Sequence, residues 1–444
     1  MKFIKDTLLI FSTKIIIIIL GLVIAIIIAK VLGPSGKGSY TLIILIPTLL
    51  LILGNLGIST SNVYLGGKKK YNWVDITSNS LISALGLGII LTIAFLIYFL
   101  NFPPSFLKDI DPQCILLATL VLPFSFLTMY FNHILLAQNR IKEYNLVRLS
   151  QSSILVILIV FFLLALNGGV FGAILAWACA TLVSAILSIL LLRKTTRITW
   201  FFYPALFRDS IKFGIKAYLG NIIQLLNYRL DMFLIVFFMN ISFVGYYSVA
   251  VVLAETLWYF PATVGTVIFV RTSGLNTEEA NKSTPRICRN TFFVTILAAL
   301  VLFALSRYII ILFFGSVFLL ALKPLWILLP GVIALSICKV LSNEITGRGK
   351  PMINTIASGV SLAMNVPLNL LLIPRMGIVG AAWASSISYT ITTIVVLIAF
   401  MKISKNSLFD TIIIKPQDLK IYTDMLAKIG NRFQSAIVNF RLRQ

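Results

Sequence analysis

The stretch Tyr218-Leu-Gly-Asn-Ile-Ile-Gln-Leu-Leu-Asn-Tyr-Arg-Leu-Asp231 holds the residues best suited to chemistry: Asn221, Gln224, Asn227, Arg229 and Asp231. They sit inside an apolar run from Ile211 to Met239, long enough to cross a bilayer. Insertion scales charge roughly 2.5 to 3.5 kcal/mol for a central Arg or Asp, so such side chains normally face a water-filled cavity or a polar partner. Steps of three and four put Tyr218, Asn221, Gln224, Tyr228 and Asp231 on one helix face. Arg229 is two residues, about 200°, from Asp231, and the two are not expected to pair. This is a polar, charged stripe that hydrogen-bonds, attracts ions and needs a shell of other helices around it.

Composition supplies that shell. The 444 residues are 59% hydrophobic and 11% charged, with a mean hydropathy of +1.00, a membrane-protein composition. The net charge of +23 does not point to nucleic acid, because the basic residues lie in short loops between apolar runs. Cys114, Cys179, Cys288 and Cys338 are scattered and form no CxxC, so neither a disulfide framework nor a metal site is expected. The single histidine, His133, has no partner cluster and reads as an interfacial side chain. No enzyme signature is present: Gly66-Gly-Lys-Lys-Lys70 lacks the upstream glycine and the Ser/Thr of a Walker A loop, and there is no HExxH. No catalytic residue and no cofactor is expected. The N-terminal run Leu8 to Ala29 is longer than a signal-peptide core and lacks a small-x-small site, so it reads as a retained membrane helix.

Segments of spanning length recur at 8–32, 40–65, 76–100, 114–137, 146–166, 169–192, 211–239, 243–270, 290–314, 324–346, 352–373 and 377–401, twelve in all. With the N-terminus in the cytoplasm, the inside segments hold 29 Lys and Arg and the outside segments six, namely Lys30, Lys37, Lys108, Arg307, Lys323 and Arg375. The expected topology therefore has both termini cytoplasmic. The chain also repeats. Gly169-Val-Phe-Gly-Ala-Ile-Leu-Ala176 matches Gly377-Ile-Val-Gly-Ala-Ala-Trp-Ala384, and Arg140-Ile-Lys142 matches Arg348-Gly-Lys350, both at an offset of 208. Gly38-Ser-Tyr40 matches Gly245-Tyr-Tyr247 at 207. The expected fold is all-α and polytopic, with a six-helix lobe at 1–205, a second at 206–401 and a pseudo-twofold along the membrane normal, which puts a site between the lobes. Beyond, in a tail at 402–444, Leu419, Tyr422, Leu426, Ile429, Phe433, Ile437 and Phe440 are spaced like an amphipathic surface helix, with basic residues among them.

Four motifs in order resemble the polysaccharide transporter branch of the multidrug/oligosaccharidyl-lipid/polysaccharide exporter superfamily, which includes the O-antigen flippases. They are Leu32-Gly-Pro-Ser-Gly-Lys-Gly-Ser-Tyr40, Asn55-Leu-Gly-Ile-Ser-Thr-Ser-Asn-Val-Tyr64, Tyr228-Arg-Leu-Asp231 with Val244-Gly-Tyr-Tyr-Ser-Val-Ala250, and Pro374-Arg-Met-Gly-Ile-Val-Gly-Ala-Ala382. One departure is Phe269-Val-Arg271, where relatives often carry Pro before the Arg. The resemblance implies a central cavity and alternating access that carries a polyprenyl-diphosphate-linked oligosaccharide to the outer leaflet. It also implies residence in the cell's inner membrane, with a glycan polymerase and glycosyltransferases as partners.

On that reading, Lys14, Asn55, Asn221, Gln224, Tyr228, Arg229 and Lys339 are the candidate substrate-cavity residues. Cations in a low-dielectric cavity attract a diphosphate, and neutral amides and hydroxyls suit sugar hydroxyls. Asp231 and Glu255 are candidates for coupling to Na⁺ or H⁺. The alternative for Arg229 is a purely structural pair with Glu255, which a helix 7–8 hairpin brings within about half a turn of its depth. Asn55, Ser59 and Asn62 make a polar stripe on the second helix. A drug or organic-cation antiporter on the same fold is the second reading, and it would want its acids unpaired. A scaffold or sensor is the third, and the polar face of the seventh helix argues against it.

Overall fold

A computed structural model describes residues 2–108, 110–272 and 277–418. Among them the chain is helical throughout: α1 (Lys2–Gly54), α2 (Ile58–Gly67), α3 (Trp73–Asn101), α4 (Pro112–Leu120), α5 (Leu122–Ala137), α6 (Ile141–Val160), α7 (Gly169–Arg193), α8 (Pro204–Phe238), α9 (Ile241–Glu255), α10 (Tyr259–Thr272), α11 (Thr277–Ile309), α12 (Leu322–Gly347), α13 (Met352–Met376), α14 (Ile378–Ser404) and α15 (Leu408–Ile412).

Local chemistry sets the boundaries. Asp111 caps α4 by accepting the Gln113 N–H at 2.9 Å, with Pro112 at the first helical position. Asn240 accepts the Ser242 N–H at 3.0 Å in the turn from α8 to α9. Gly57, at φ 76, turns the chain into α2 through a conformation that L side chains rarely adopt.

Eleven helical runs among the described residues are long and apolar enough to cross a membrane, against twelve expected. The difference lies in Leu9–Gly54, one run of 46 residues. Residues 33–39, expected as a loop, are helical apart from Gly33, whose φ of 65 and ψ of −172 break the run. At 1.5 Å per residue the run measures about 69 Å, more than twice the hydrocarbon core, so it has the length of both expected segments. The helix expected at 40–65 is itself interrupted at 55–57 before α2. α8 starts at Pro204, ahead of the expected 211, so a polar lead precedes its span at Tyr218–Phe238.

By proximity the chain forms two compact units: Met1–Ala254 with Leu305–Leu328 and Ser358–Ser388, and Glu255–Ala304 with Leu329–Ala357 and Tyr389–Gln444. The first has a core centred on Leu122, Phe126, Tyr130 and Phe131 of α5, packed by α2, α3, α7 and Leu206 of α8. In the second, the start of the expected tail is tied down. The Arg289 guanidinium grips the buried Asp418 carboxylate and donates to the Asp410 carbonyl at 3.0 Å, and Asn406 donates to the Asn281 carbonyl at 2.9 Å. The amphipathic helix expected at 419–440 lies outside the described residues.

Two contacts within the first unit hold α8 and α9 against α1 and α2. At one, a methyl group on Gly38 would fall on the Ile241 carbonyl oxygen, and one on Gly245 would fall on the Pro34 carbonyl oxygen. Gly38 and Gly245, and likewise Pro34 and Ile241, are 207 residues apart, the offset at which Gly38-Ser-Tyr40 repeats as Gly245-Tyr-Tyr247. The two copies of the motif thus cross each other reciprocally, backbone against backbone. At the other contact Gly57 meets Gly214 so closely that neither position has room for a Cβ. Tyr64 stacks on Phe213 with ring centroids 4.0 Å apart and planes at 9°. Asp209 accepts from Lys70 at 2.6 Å and from Tyr71 at 2.8 Å. Beside it is a small recess lined by Asn62, Asn79, Ser80, Ser83 and Ser210 together with Ile58, Ile76, Leu206 and Phe207.

The loops sort to match. Lys70 with Asp209, Arg140 with Thr195 and Ser78 with Thr199 bring 66–78, 138–140 and 193–209 together at one end. Pro34 with Gly245 and Gly377 with Met239 bring 33–38, 239–246 and 376–377 together at the other. Lys68, Lys69, Lys70, Arg140, Arg193 and Lys194 fall in the first set, which makes it the basic end.

Candidate functional site

α8 presents its buried polar face through Asn227 and Asp231, one turn apart, rather than through the whole stripe from Tyr218. The Asp231 carboxylate is buried and accepts three hydrogen bonds: from the Tyr247 hydroxyl at 2.6 Å, the Ser385 hydroxyl at 3.1 Å and the Met232 N–H at 2.8 Å. Asn227 donates to the Ser361 hydroxyl at 2.9 Å and accepts from Ser388 at 2.8 Å. The Ser361 and Ser388 hydroxyls are 2.6 Å apart. One network therefore ties α8 to α9, α13 and α14. Hydrogen bonds to a charged group contribute roughly 1.5 to 3 kcal/mol each, enough to hold a carboxylate inside an apolar bundle.

The polar face of α13 continues past Ser361 at four-residue steps to Asn365 and Asn369, both fully buried. Asn369 donates to the Asn365 side-chain oxygen at 2.8 Å. The Asn365 amide nitrogen and the Asn369 amide oxygen have no partner among the described residues. A buried polar atom left so costs about 1 to 3 kcal/mol, which marks this face as a place for water, an ion or a substrate group.

The residues singled out from sequence distribute unevenly. Asn55 is fully buried and caps α2: it donates to the Ser59 hydroxyl at 2.8 Å and accepts the Ser59 N–H at 3.2 Å. Its backbone carbonyl takes the Tyr130 hydroxyl at 3.4 Å. Asn62 donates to Ser80 at 2.8 Å, joining α2 to α3. Asn221 is exposed. Gln224 donates to the Tyr228 hydroxyl at 3.2 Å, and both are half-buried. Lys14 and Arg229 are half-buried in the first unit, and Glu255 and Lys339 are half-buried in the second. The Lys339 ammonium stands 5.1 Å from the ring centroid of Trp258, which packs edge-on against Tyr389 at 5.6 Å. An indole face attracts a cation electrostatically without offering it a proton acceptor. His133 meets the Met129 carbonyl at 2.8 Å within its own helix.

Sequence reasoning gave Asn227 no role and missed Tyr247, Ser361, Ser385 and Ser388. The spacing of Asn227 and Asp231, and of Ser385 and Ser388, was the available signal.

The matches to known proteins agree with this architecture. Residues 3–273 match the family described as polysaccharide biosynthesis protein. An uncharacterized membrane protein of Methanocaldococcus jannaschii is 28% identical over 195 residues, 43% of this chain and 38% of that protein. A probable low-salt glycan biosynthesis flippase, Agl15 of Haloferax volcanii, is 27% identical over 169 residues, 37% of this chain and 36% of that one. The alignments thus span under two-fifths of the length of these curated relatives. Among solved structures, the lipid II flippase MurJ in an inward closed conformation superposes with a TM-score of 0.76 at 21% identity, over 90% of this chain and 91% of that one. A multidrug resistance MATE family transporter, inward-facing, gives 0.73 at 16% identity, over 87% and 95%. The fold is that of the multidrug/oligosaccharidyl-lipid/polysaccharide exporter superfamily, and the chain, a multi-pass membrane protein, belongs to the polysaccharide biosynthesis protein family.

Proposed function

We propose that this protein is a flippase that moves a polyprenyl-diphosphate-linked oligosaccharide from the cytoplasmic to the outer leaflet of the inner membrane by alternating access, with no covalent chemistry of its own. The observation that carries the reading is the buried polar face of α8 and α13. Asn227, Asp231, Ser361, Asn365 and Asn369 offer neutral amides and hydroxyls around one carboxylate inside apolar helices, the groups that sugar hydroxyls and a coupling ion require. Membership of a polysaccharide biosynthesis family and the fold shared with a lipid II flippase support it.

The basic end faces the cytoplasm by the positive-inside rule, which leaves both termini inside. The six-helix lobes at 1–205 and 206–401 belong to the same reading, as do a glycan polymerase and glycosyltransferases as neighbours. Lys14, Arg229 and Lys339 are the cations for the diphosphate. Asp231 is the better coupling candidate and Glu255 the second. A carboxylate among hydroxyl and amide oxygens suits Na⁺, and a carboxylate alone suffices for H⁺.

The second reading, an ion-coupled organic-cation antiporter, draws on the MATE fold and on the buried acid. One experiment separates the two: complementation of a flippase deletion of defined glycan, scored as surface glycan per inserted protein. Arg229→Ala and Lys339→Ala are expected to lower export several-fold at near-normal protein level, with Arg229→Lys rescuing only in part because it lacks the planar fork. Full export by the Arg229→Leu, Glu255→Leu double variant would assign Arg229 to structure. Drug efflux without glycan export in complemented cells would select the antiporter.

A further inference from the structure

Lys37 is a buried charge for which the proposed function has no use. The Lys and Arg count puts six basic residues at the end opposite the basic one. Lys30, Lys108, Arg307, Lys323 and Arg375 are exposed, whereas Lys37 is only 5% exposed. Among the described residues its ammonium has no carboxylate and no hydrogen-bond acceptor. The contact it does make is with the Tyr40 ring, whose centroid is 5.8 Å away. A ring face offsets only part of the cost of burying a charge. The backbone around Lys37 adds to that cost. Gly33 breaks the long first helix at φ 65, so a new helix starts at Pro34 and runs to Gly54. A helix start carries partial positive charge and aims its first N–H groups outward, here those of Ser35 and Gly36, since Pro34 has none. First turns favour acids for that reason: α3 has Asp75 there, α6 Glu143 and α11 Glu278. The turn after Gly33 holds a lysine instead. Helix side chains lean toward the N-terminus, so Lys37 leans toward that start. The start itself is open: Ser35 is exposed, and a methyl group on Gly33 would meet nothing within 4 Å.

We propose that the helix start after Gly33, together with Lys37, is an anion site for a phosphate ester, and that it receives the diphosphate of the lipid-linked saccharide at the outer end. Backbone N–H groups at a helix start and a lysine ammonium are the donors that a phosphate takes. Lys14 lies 23 residues earlier on α1, about 35 Å away at 1.5 Å per residue. The headgroup thus has one cation station near each face of the membrane. The identity of the anion's carrier rests on the flippase reading, so the test has a binding readout that needs no export.

The protein without its four native cysteines, carrying Ser35→Cys, is placed in phosphatidylcholine nanodiscs. Its labelling by N-ethylmaleimide is timed alone, with farnesyl diphosphate, with inorganic pyrophosphate and with farnesol. Farnesyl diphosphate is expected to slow labelling about fivefold. It should do so at about one-tenth of the pyrophosphate concentration needed, and farnesol should not protect. Lys37→Met should abolish the protection and Lys37→Arg should keep most of it. Because Lys37→Met removes a buried charge that has no partner, the ligand-free variant should melt no lower than the parent. A variant that melts well below the parent, or that is still protected, overturns the site. So does protection by farnesol, which would mean that the lipid tail alone covers position 35. Equal protection by pyrophosphate would give the site to free phosphate and overturn the delivery role, as would export by Lys37→Met at the parent rate. If protection depends on Lys37 while the parent protein exports no glycan, the flippase reading falls and the anion site stands.

Discussion

At the Gly38–Gly245 crossing each glycine lies under a carbonyl of the other motif copy, Ile241 over Gly38 and Pro34 over Gly245, and the arrangement is its own mirror at an offset of 207. The Gly57–Gly214 contact has no such symmetry. At the offset of 208 shared by the other two repeats, the counterpart of Gly57 is Gly265, and it packs on the Lys339 carbonyl and Asn343 instead of on a second glycine. A contact between two copies of one motif puts the same constraint on both, so both stay glycine. A contact made by only one pair leaves the second copy to take another partner, as Gly265 does.

The largest effect is expected from filling the crossing. Gly245→Val drives a β-branched side chain into the Pro34 carbonyl, and the cost is roughly 3 kcal/mol or more. Little monodisperse protein should be recovered in detergent, and what is recovered should melt well below the parent. Gly38→Ala and Gly245→Ala should lower the melting temperature by similar amounts, because their contacts are copies of one another. A Gly245→Val protein that melts like the parent would show that the crossing tolerates separation.

Gly214→Ala probes the other contact with the same kind of clash and a different outcome. The added methyl meets the Gly57 backbone, but here the strain is relieved by parting the contact, whose rim is the partly exposed Lys70–Asp209 pair. Strain of about 1 to 3 kcal/mol raises the open population, by roughly thirtyfold at the middle of that range. Protein level should stay near that of the parent, labelling of Ser83→Cys in the same cysteine-free background should accelerate by about that factor, and export should fall. Loss of folded protein equal to that of Gly245→Val would make the two contacts equivalent and erase the distinction.

The sequence made the polar stretch of α8 legible because five polar side chains in an apolar run are costly without a partner. It put the buried Tyr218 and Asp231 on one face but left out the equally buried Asn227. Asn221 lies on the face chosen from spacing and is exposed, whereas Asn227 and Asp231 carry the network. Their partners Ser361, Ser385 and Ser388 are more than 130 residues away, and serine in a membrane helix is too common to stand out. Asn55 read as a cavity residue because a polar stripe at helical spacing looks the same whether it faces a substrate or caps a broken helix. The repeat was legible as a shared offset, but not that Gly38 and Gly245 touch. Gly214 gave no signal, since its role exists only against Gly57. The segment 33–39 read as a loop because Gly-Pro usually ends a helix, yet Pro is also favoured at a helix start, and a single residue, Gly33, makes the break.

Charge at the rim of the Gly57–Gly214 contact should matter less than packing at its centre. Asp209→Lys alone should speed labelling of Ser83→Cys modestly, and adding Lys70→Glu should restore the parent rate, because the pair then exists with its signs exchanged. Failure of the swap to restore would mean that Tyr71, which also donates to Asp209, carries the contact.

The smallest expected effect is that of pH, and its sign follows from the same pair. The hydrogen bond and charge of Lys70 hold the Asp209 carboxyl below its ordinary 3.8, helped by Tyr71. In return, Asp209 holds the Lys70 ammonium above 10.5 and the Tyr71 hydroxyl above 10.0. A depressed carboxylate contributes in full above its ordinary value and loses that contribution only as pH falls through the depressed one. A raised ammonium contributes in full below its ordinary value and loses that contribution only as pH rises through the raised one. The two windows overlap across the whole range from about pH 5 to 9, so the pair is intact throughout. Lys212 is the other charge that acts on Asp209, and Tyr64 stands beside Lys70. Thiol reactivity itself rises with pH, so the quantity to follow is the ratio of Ser83→Cys labelling with and without Gly214→Ala. That ratio should stay level across the window while export, which depends on the coupling ion, is free to vary. A slope in the ratio between about pH 5 and 9 would mean that a group outside Lys70, Tyr71 and Asp209 controls the contact, and the rim would then have to be redrawn around it.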